Sequence, residues 1–396
     1  MIKITGGMTP DSSKKIYDNY LYLLAMILPF APEEILDRDE IEIDGRKITA
    51  ENFLTVSGKK PRRRNRSYRR LLEKYLDSPT PAENINARFW EDRMLAAKLI
   101  EKADEELFTY LYDSQPDEFP KLQKEKLRKL FFVKMDRLDN KLKGLPVINE
   151  KESSDLLLEH VFRYREFAAS PYAASIIEEL NVKVCPYCNC QYTVTVTSRK
   201  KSIRPQLDHY ICKSKYPYFA VTLWNLVPSC SACNQRKTDK TEEVLYPYAD
   251  EIGTDFVFQT RLNRGIRYLF GDEDAGAEFD LELIQANPFV PDDLLEKVNK
   301  SKEIFDLEHI YKAHKDYVLL LFQKHHIYNE AYLQELQDVF GKLFSDTREM
   351  KKMFYVLDID PCKWGDRPLS KLTHDIDQEI EELTACADLE WEGVFC

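Results

Sequence analysis

The sequence predicts an α+β, helix-rich protein whose small, cysteine-stapled central core lies between two helical regions. Three observations carry this reading. Two Cys-x-x-Cys pairs, Cys185/Cys188 and Cys230/Cys233, bracket the middle of the chain. Short alternating stretches cluster around and just after them. On both sides, apolar residues recur at three- and four-residue spacing with charges between, the period of an amphipathic helix. The expected divisions are an N-terminal helical region at 1–150, the core at 151–250 and a mostly helical C-terminal region at 251–396.

Asp11-Ser12-Ser13 can cap a helix over Lys14 to Leu28, which Pro29 and Pro32 end. Glu40 to Ile48 alternates about Asp44-Gly45, as a small hairpin does. Ala87 to Tyr112 and Lys121 to Leu142 have helical periodicity, and the prolines at 116 and 120 mark a turn between them. Gln191 to Thr197 alternates strictly, as a strand does, and a basic loop follows at Ser198 to Arg204. Two short apolar stretches come next, Gln206 to Ile211 and Trp224 to Val227, then a helix-like run from Ser231. Beyond residue 250 a β patch is expected at Phe256–Gln259, Ile266–Phe270 and Phe279–Leu283. Helices are expected at Lys302–Phe322, His326–Leu343 and Lys371–Ala385. No internal repeat or low-complexity segment is present.

The 396 residues suggest two or three domains, each able to bury a core. Hydrophobic content of 43% with 32% charged residues suits a soluble globular protein and disfavours a disordered one. The longest apolar run, Tyr20 to Ala31, is broken by Pro29 and is shorter than the roughly 20 residues of a membrane span. It also follows Asp11 and Asp18, unlike a signal peptide, so no membrane association and no secretion are expected. Nine cysteines without framework spacing outside the two pairs suit a reducing cytoplasm and one metal site.

Two residues between cysteines let both sulfurs of a tight turn face one ion, and two such knuckles complete a tetrahedral four-sulfur shell. Cys185, Cys188, Cys230 and Cys233 are therefore the expected ligands of a structural zinc; iron fits the same spacing. Four thiolates leave no open position for water, so this ion holds structure and hydrolyses nothing. A redox role for one pair does not account for the other. Cys190 and Cys212 lie nearby but out of register.

Between the knuckles stand Leu207-Asp208-His209-Tyr210 and Trp224-Asn225-Leu226-Val227-Pro228, and the second knuckle runs on through Asn234, Arg236 and Lys237. His209, the sole histidine of this segment, has an unperturbed pKa of about 6.5 and suits a general base near neutrality. Asp208 is a hard oxygen donor suited to Mg²⁺ or Mn²⁺. Strand neighbours point to opposite faces, so both can serve one site only where a strand bends or ends.

The order and spacing of these elements over residues 185–240 resemble the HNH nucleases of the ββα-metal fold. Their pattern is Asp-His on a first strand, Asn-Leu-Val/Ile-Pro entering a second, and Cys-x-x-Cys-Asn/His-x-x-Lys opening a helix. The resemblance implies a metal-dependent endonuclease that hydrolyses phosphodiester bonds, DNA more than RNA. It implies that Asp208 and Asn234 hold a catalytic Mg²⁺ or Mn²⁺, that His209 activates water, and that Asn225 fixes the intervening loop by side-chain bonds to backbone. Asn234 stands where histidine is frequent; a neutral amide oxygen implies a loosely held ion partly bound by substrate phosphate. Lys237, Arg236 and Lys213 are the expected phosphate-binding cations, Lys237 aided by the positive end of its helix.

Charge distribution agrees with a local polyanion site. The whole chain carries a net −11, yet residues 185–240 hold nine Lys and Arg against Asp208 and Asp239. That is +7, leaving −18 elsewhere, a separation that solubility does not require. Tyr210, Tyr216, Tyr218, Phe219 and Trp224 interleave with the cations; core packing is the favoured reading and base stacking the other. Eight cations in Lys59–Arg70 form either a solvated loop or a phosphate-contacting arm.

Phe162–Glu166, Tyr172, Val182–Tyr192 and Tyr311–Asp316 look like flanking elements of a group of bacterial HNH proteins of anti-phage defence. That likeness implies an effector working with an ATPase partner. His309 and His314 are read as fold support, and the adjacent His325 and His326 as a poor chelating pair. The competing expectations are a non-catalytic zinc-containing nucleic-acid-binding or scaffold subunit and an RNA-cleaving toxin.

Overall fold

In the computed structural model, the structure is described for residues 2–4, 16, 20, 40–43, 46–49, 109 and 124–391. Within the last range 170, 198–201, 241–242, 263–278, 329, 341–343, 345–348, 351–352 and 355–360 are excepted. The expected helix at Ala87–Tyr112, the Lys59–Arg70 run and the strand at Ile266–Phe270 fall wholly or almost wholly outside these residues. The described residues are mainly helical, with four antiparallel two-stranded sheets.

β1 (Glu40–Ile43) pairs antiparallel with β2 (Arg46–Thr49), with Ile43 opposite Arg46. The stretch expected as one helix at Lys121–Leu142 is broken. It comprises α1 (Lys124–Phe132), a 3₁₀ turn at Met135–Arg137 and the short α2 (Asn140–Lys143). Lys134 is extended, and Asp139 restarts the chain as an N-cap whose carboxylate accepts the Leu142 N–H at 2.9 Å. Periodicity does not register such local side-chain competition for backbone N–H groups. α3 (Lys151–Leu156), α4 (Tyr164–Ala169) and α5 (Pro171–Leu180) lead to the first cysteine pair.

The alternating run at 191–197 forms less strand than its pattern suggests. Tyr192 bridges Val184, and β3 (Val196–Thr197) pairs with β4 (Ser202–Ile203) over two residues. Its polar Thr193 points inward while Tyr192, Val194 and Val196 are exposed, so the apolar face has no core beneath it. β5 (Gln206–His209) pairs antiparallel with β6 (Leu226–Ser229), with His209 opposite Leu226 and Asp208 opposite Val227. Pro228 is tolerated because each strand of a two-stranded sheet is an edge. α6 (Ser231–Lys237) follows at once.

β7 (Phe256–Leu262) and β8 (Phe279–Gln285) form the longest pair, with Phe256, Phe258, Phe279, Leu281 and Leu283 turned to the core. α7 (Asp292–Phe305) and α8 (Leu307–Lys312) are separated at Asp306, which is left-handed at φ 53°. The expected unbroken helix from Lys302 is thus three pieces, the third being α9 (Lys315–Ile327). α10 (Glu330–Phe340) and α11 (Ser370–Trp391) complete the described helices. Among the described residues, buried apolar side chains from Ile16 to Ile380 form one contiguous cluster that includes the four cysteines. Among the described residues, no helix is long and apolar enough to cross a membrane.

Candidate metal centre and active site

The Sγ atoms of Cys185, Cys188, Cys230 and Cys233 all lie within 4.8 Å of one another, and all four residues are buried. Cys188 and Cys230 sulfurs are 4.0 Å apart. A tetrahedral shell with bonds of about 2.3 Å has sulfur–sulfur edges of about 3.8 Å, so the donor set fits a single ion such as zinc. The local chain builds this pocket. Asn189, left-handed at φ 52°, turns the first knuckle, and the Cys185 N–H donates to the Gln191 carbonyl at 2.9 Å. Cys230 is the N-cap of α6, its sulfur accepting the Cys233 N–H at 3.4 Å. Burial pushes the Cys185 thiol well up, and its bonds to its neighbours pull Cys188 down. Four thiolates cannot be buried together without a cation to balance them.

β5 ends at His209, and His209 and Asp208 both border one cavity of about 810 Å³. The lining includes Asn234, Lys213, Gln206, Arg204, Tyr164 and Asp239. His209 is 5% exposed, its ring edge-on to Tyr164 with centroids 4.7 Å apart. Its Nε2 lies 2.9 Å from the Ala220 carbonyl oxygen. A carbonyl only accepts, so Nε2 carries the proton and the lone pair of the neutral ring sits on Nδ1. Burial, then the Lys213 and Lys237 ammonium groups, hold the imidazole well below its ordinary pKa, against the opposing Ala220 bond.

Asn225 is fully buried immediately before β6, at the end of the 16-residue stretch from Tyr210 to Asn225 that separates the strands. Its amide accepts the Ile211 N–H at 2.6 Å and donates to the Ile211 and Phe219 carbonyls at 3.0 and 2.9 Å. Its backbone carbonyl accepts the Tyr210 N–H at 2.9 Å. The residue therefore ties down both the chain leaving His209 and the turn that supplies Ala220. Asn234, in the first half of α6, donates its amide to Gln206 Oε1 at 2.7 Å. Its carbonyl oxygen is left for another partner at the cavity wall.

Two of the expected phosphate cations are placed otherwise. Lys237 is 1% exposed and turned inward, its Nζ 3.1 Å from Asp208 Oδ2 and 2.5 Å from the His209 carbonyl oxygen. The seven-residue α6 carries position 237 back over β5, where its ammonium pairs with the Asp208 carboxylate. Removing either partner leaves an uncompensated buried charge, which costs about 3–5 kcal/mol. Arg236 faces the C-terminal region, donating to the Phe305 carbonyl at 2.6 Å and pairing with Asp306 at 3.4 Å. It does not line the cavity. Lys213 does, with its Nζ 5.2 Å from the Tyr164 ring centroid.

Sequence reasoning passed over Tyr164, Arg204 and Tyr187. Arg204 donates to the Ala168 carbonyl and walls the cavity with Tyr164, whose hydroxyl is pushed up to about 12 chiefly by burial. Tyr187 sits inside the first knuckle and donates to Asp208 Oδ2 at 2.6 Å. A hydroxyl two residues from a metal-ligand cysteine gives no sequence signal of its target. Of the interleaved aromatics, Tyr218, Phe219 and Trp224 are buried in the core and Tyr210 and Tyr216 pack against it.

The chain is similar to Septu protein PtuB of Bacillus thuringiensis. Identity is 28% over 102 residues, a quarter of this chain, and the match spans 37% of that relative's length. No family model matches the chain, and no solved structure matches it.

Proposed function

We propose that the chain is an HNH endonuclease with a structural four-cysteine zinc, cleaving phosphodiester bonds of DNA as an effector of anti-phage defence. The observation that carries this is the convergence of His209, Asp208 and Asn234 on one cavity, with the imidazole tautomer fixed by the Ala220 carbonyl. His209 receives the proton of the attacking water on Nδ1, the nitrogen that Ala220 leaves unprotonated, and its lowered pKa keeps it neutral and ready. Asn225 holds the loop that supplies Ala220. Asp208 and Asn234 offer a carboxylate and an amide oxygen, the hard donor set that Mg²⁺ or Mn²⁺ takes. Such an ion supplies charge stabilisation at the scissile phosphate and leaving oxygen. Lys213 and Arg204 give the cavity its cationic wall for the phosphate backbone. The similarity to the Septu protein supports the defence role and, with it, a partner protein; the flanking motifs suggest an ATPase.

One observation favours a second reading, a non-catalytic nucleic-acid-binding subunit. The carboxylate of Asp208 is already paired with Lys237 and Tyr187. Plasmid, single-stranded DNA and RNA incubated with zinc-loaded protein, with and without co-purifying proteins, separate the readings. The nuclease reading predicts plasmid nicking in Mg²⁺ or Mn²⁺ and none in chelator. Tight binding without scission of any substrate under all conditions supports the second reading instead.

A further inference from the structure

Lys237 was expected to meet a phosphate, and its actual position has a different chemistry. Its ammonium is buried between the two residues that define the site, 3.1 and 3.3 Å from the two Asp208 carboxylate oxygens and 2.5 Å from the His209 carbonyl. Tyr187 completes the group from the other side, its hydroxyl 2.6 Å from Asp208 Oδ2. The network joins three pieces of chain. Tyr187 lies within the first cysteine knuckle, with its ring stacked on Phe305 at 4.5 Å, Asp208 lies on β5, and Lys237 ends the helix that the second knuckle opens. Asp208 therefore has its full countercharge in the free protein, and both its oxygens are engaged.

We propose that Lys237 is a positioning residue, the resident counter-ion of Asp208. It orients the carboxylate and keeps the free protein's affinity for divalent cations low, so that an ion is retained only together with a phosphate anion. The reasoning is electrostatic. A divalent cation at Asp208 approaches an ammonium that cannot withdraw to solvent, and Asn234 adds no charge to offset the repulsion. A phosphate oxygen beside the ion supplies the missing negative charge. This rests on the reading of Asp208 as the ligand of the hard cation, and it explains why a nuclease centre would carry a buried lysine where a surface one would bind DNA better.

The test is Mn²⁺ titration of the zinc-loaded full chain without nucleic acid, followed by electron paramagnetic resonance of free Mn²⁺ and by thermal melting. Wild type should take up little Mn²⁺ below millimolar concentration, and its melting should not respond. Lys237→Met should melt lower without Mn²⁺, recover on adding it, and bind at least tenfold tighter than wild type. The double variant Lys237→Met with Asp208→Asn buries no charge, so it should lose the response while staying folded. Tyr187→Phe removes a neutral donor only and should change Mn²⁺ affinity by less than threefold. Where the methionine variant does not fold, Lys237→Gln carries the same comparison. Unchanged Mn²⁺ affinity in the Lys237 variants, or micromolar binding by wild type, overturns the proposal. Because none of these readouts uses strand scission, failure of the nuclease reading is seen separately in the cleavage assay.

Discussion

Replacing Asn225 by alanine removes three side-chain bonds at once from a fully buried residue. The Ile211 N–H and Ile211 carbonyl lose their Asn225 partner, whereas the Phe219 carbonyl keeps the Thr222 N–H at 3.2 Å. At about 1–3 kcal/mol for each polar group left unsatisfied inside, two such groups cost about 2–6 kcal/mol. That is a large part of the roughly 5–15 kcal/mol that stabilises a typical domain. Asn225→Asp sharpens the test because the shape hardly changes. It keeps the acceptor for Ile211 N–H but turns an oxygen toward two carbonyl oxygens, where amide hydrogens lay. A buried carboxylate there has a raised pKa, so the folded state holds a proton that the unfolded state releases. The aspartate variant should therefore lose stability as pH rises from about 5 to about 8, in excess of any change in wild type. Urea unfolding followed by tryptophan fluorescence at both pH values gives the numbers. A loss under about 1 kcal/mol in the alanine variant, with a pH-insensitive aspartate variant, would refute the clamp.

Further outcomes follow from the same geometry. Cys230→Ala should lose zinc binding and destabilise the chain around the cysteine cluster, since one substitution removes both a ligand and the cap of α6; metal analysis and circular dichroism report this. His209 is buried with its pKa below the ordinary value, so the unfolded chain binds a proton that the folded one does not. Stability should fall as pH drops through about 6.5, and His209→Gln should flatten that slope by up to one proton in a denaturant series across pH. Lys213→Ala should weaken DNA binding and reduce its salt slope by about one, whereas Arg236→Ala should leave binding unchanged and destabilise the contact with residues 305–306.

What the sequence made legible was local, and what it hid was direction. A two-residue spacing constrains two sulfurs to one side of a tight turn, so each cysteine pair could be read locally, whereas the fold has to bring the two pairs together. The pairing of β1 with β2 is equally local. Lys237 and Arg236 are adjacent on a seven-residue helix, yet one points into the sheet and the other toward Asp306. Nothing within residues 231–237 sets that division. It is imposed by β5 beneath the helix and by α7 and α8 beside it. Tyr164 and Arg204 are brought to the cavity by tertiary packing in the same way. The broken helices at 133–139 and 306 share another cause, local alternatives to helical backbone that apolar spacing does not register.

Strand scission by His209→Ala against wild type, at equal zinc content and equal DNA binding, tests the central claim most directly. Supercoiled plasmid in Mg²⁺ or Mn²⁺, with and without co-purifying proteins, should be opened by wild type and left intact by the variant. Cleavage by the variant at the wild-type rate would contradict the account, because the proton acceptor beside Asp208 would then have no part in the reaction.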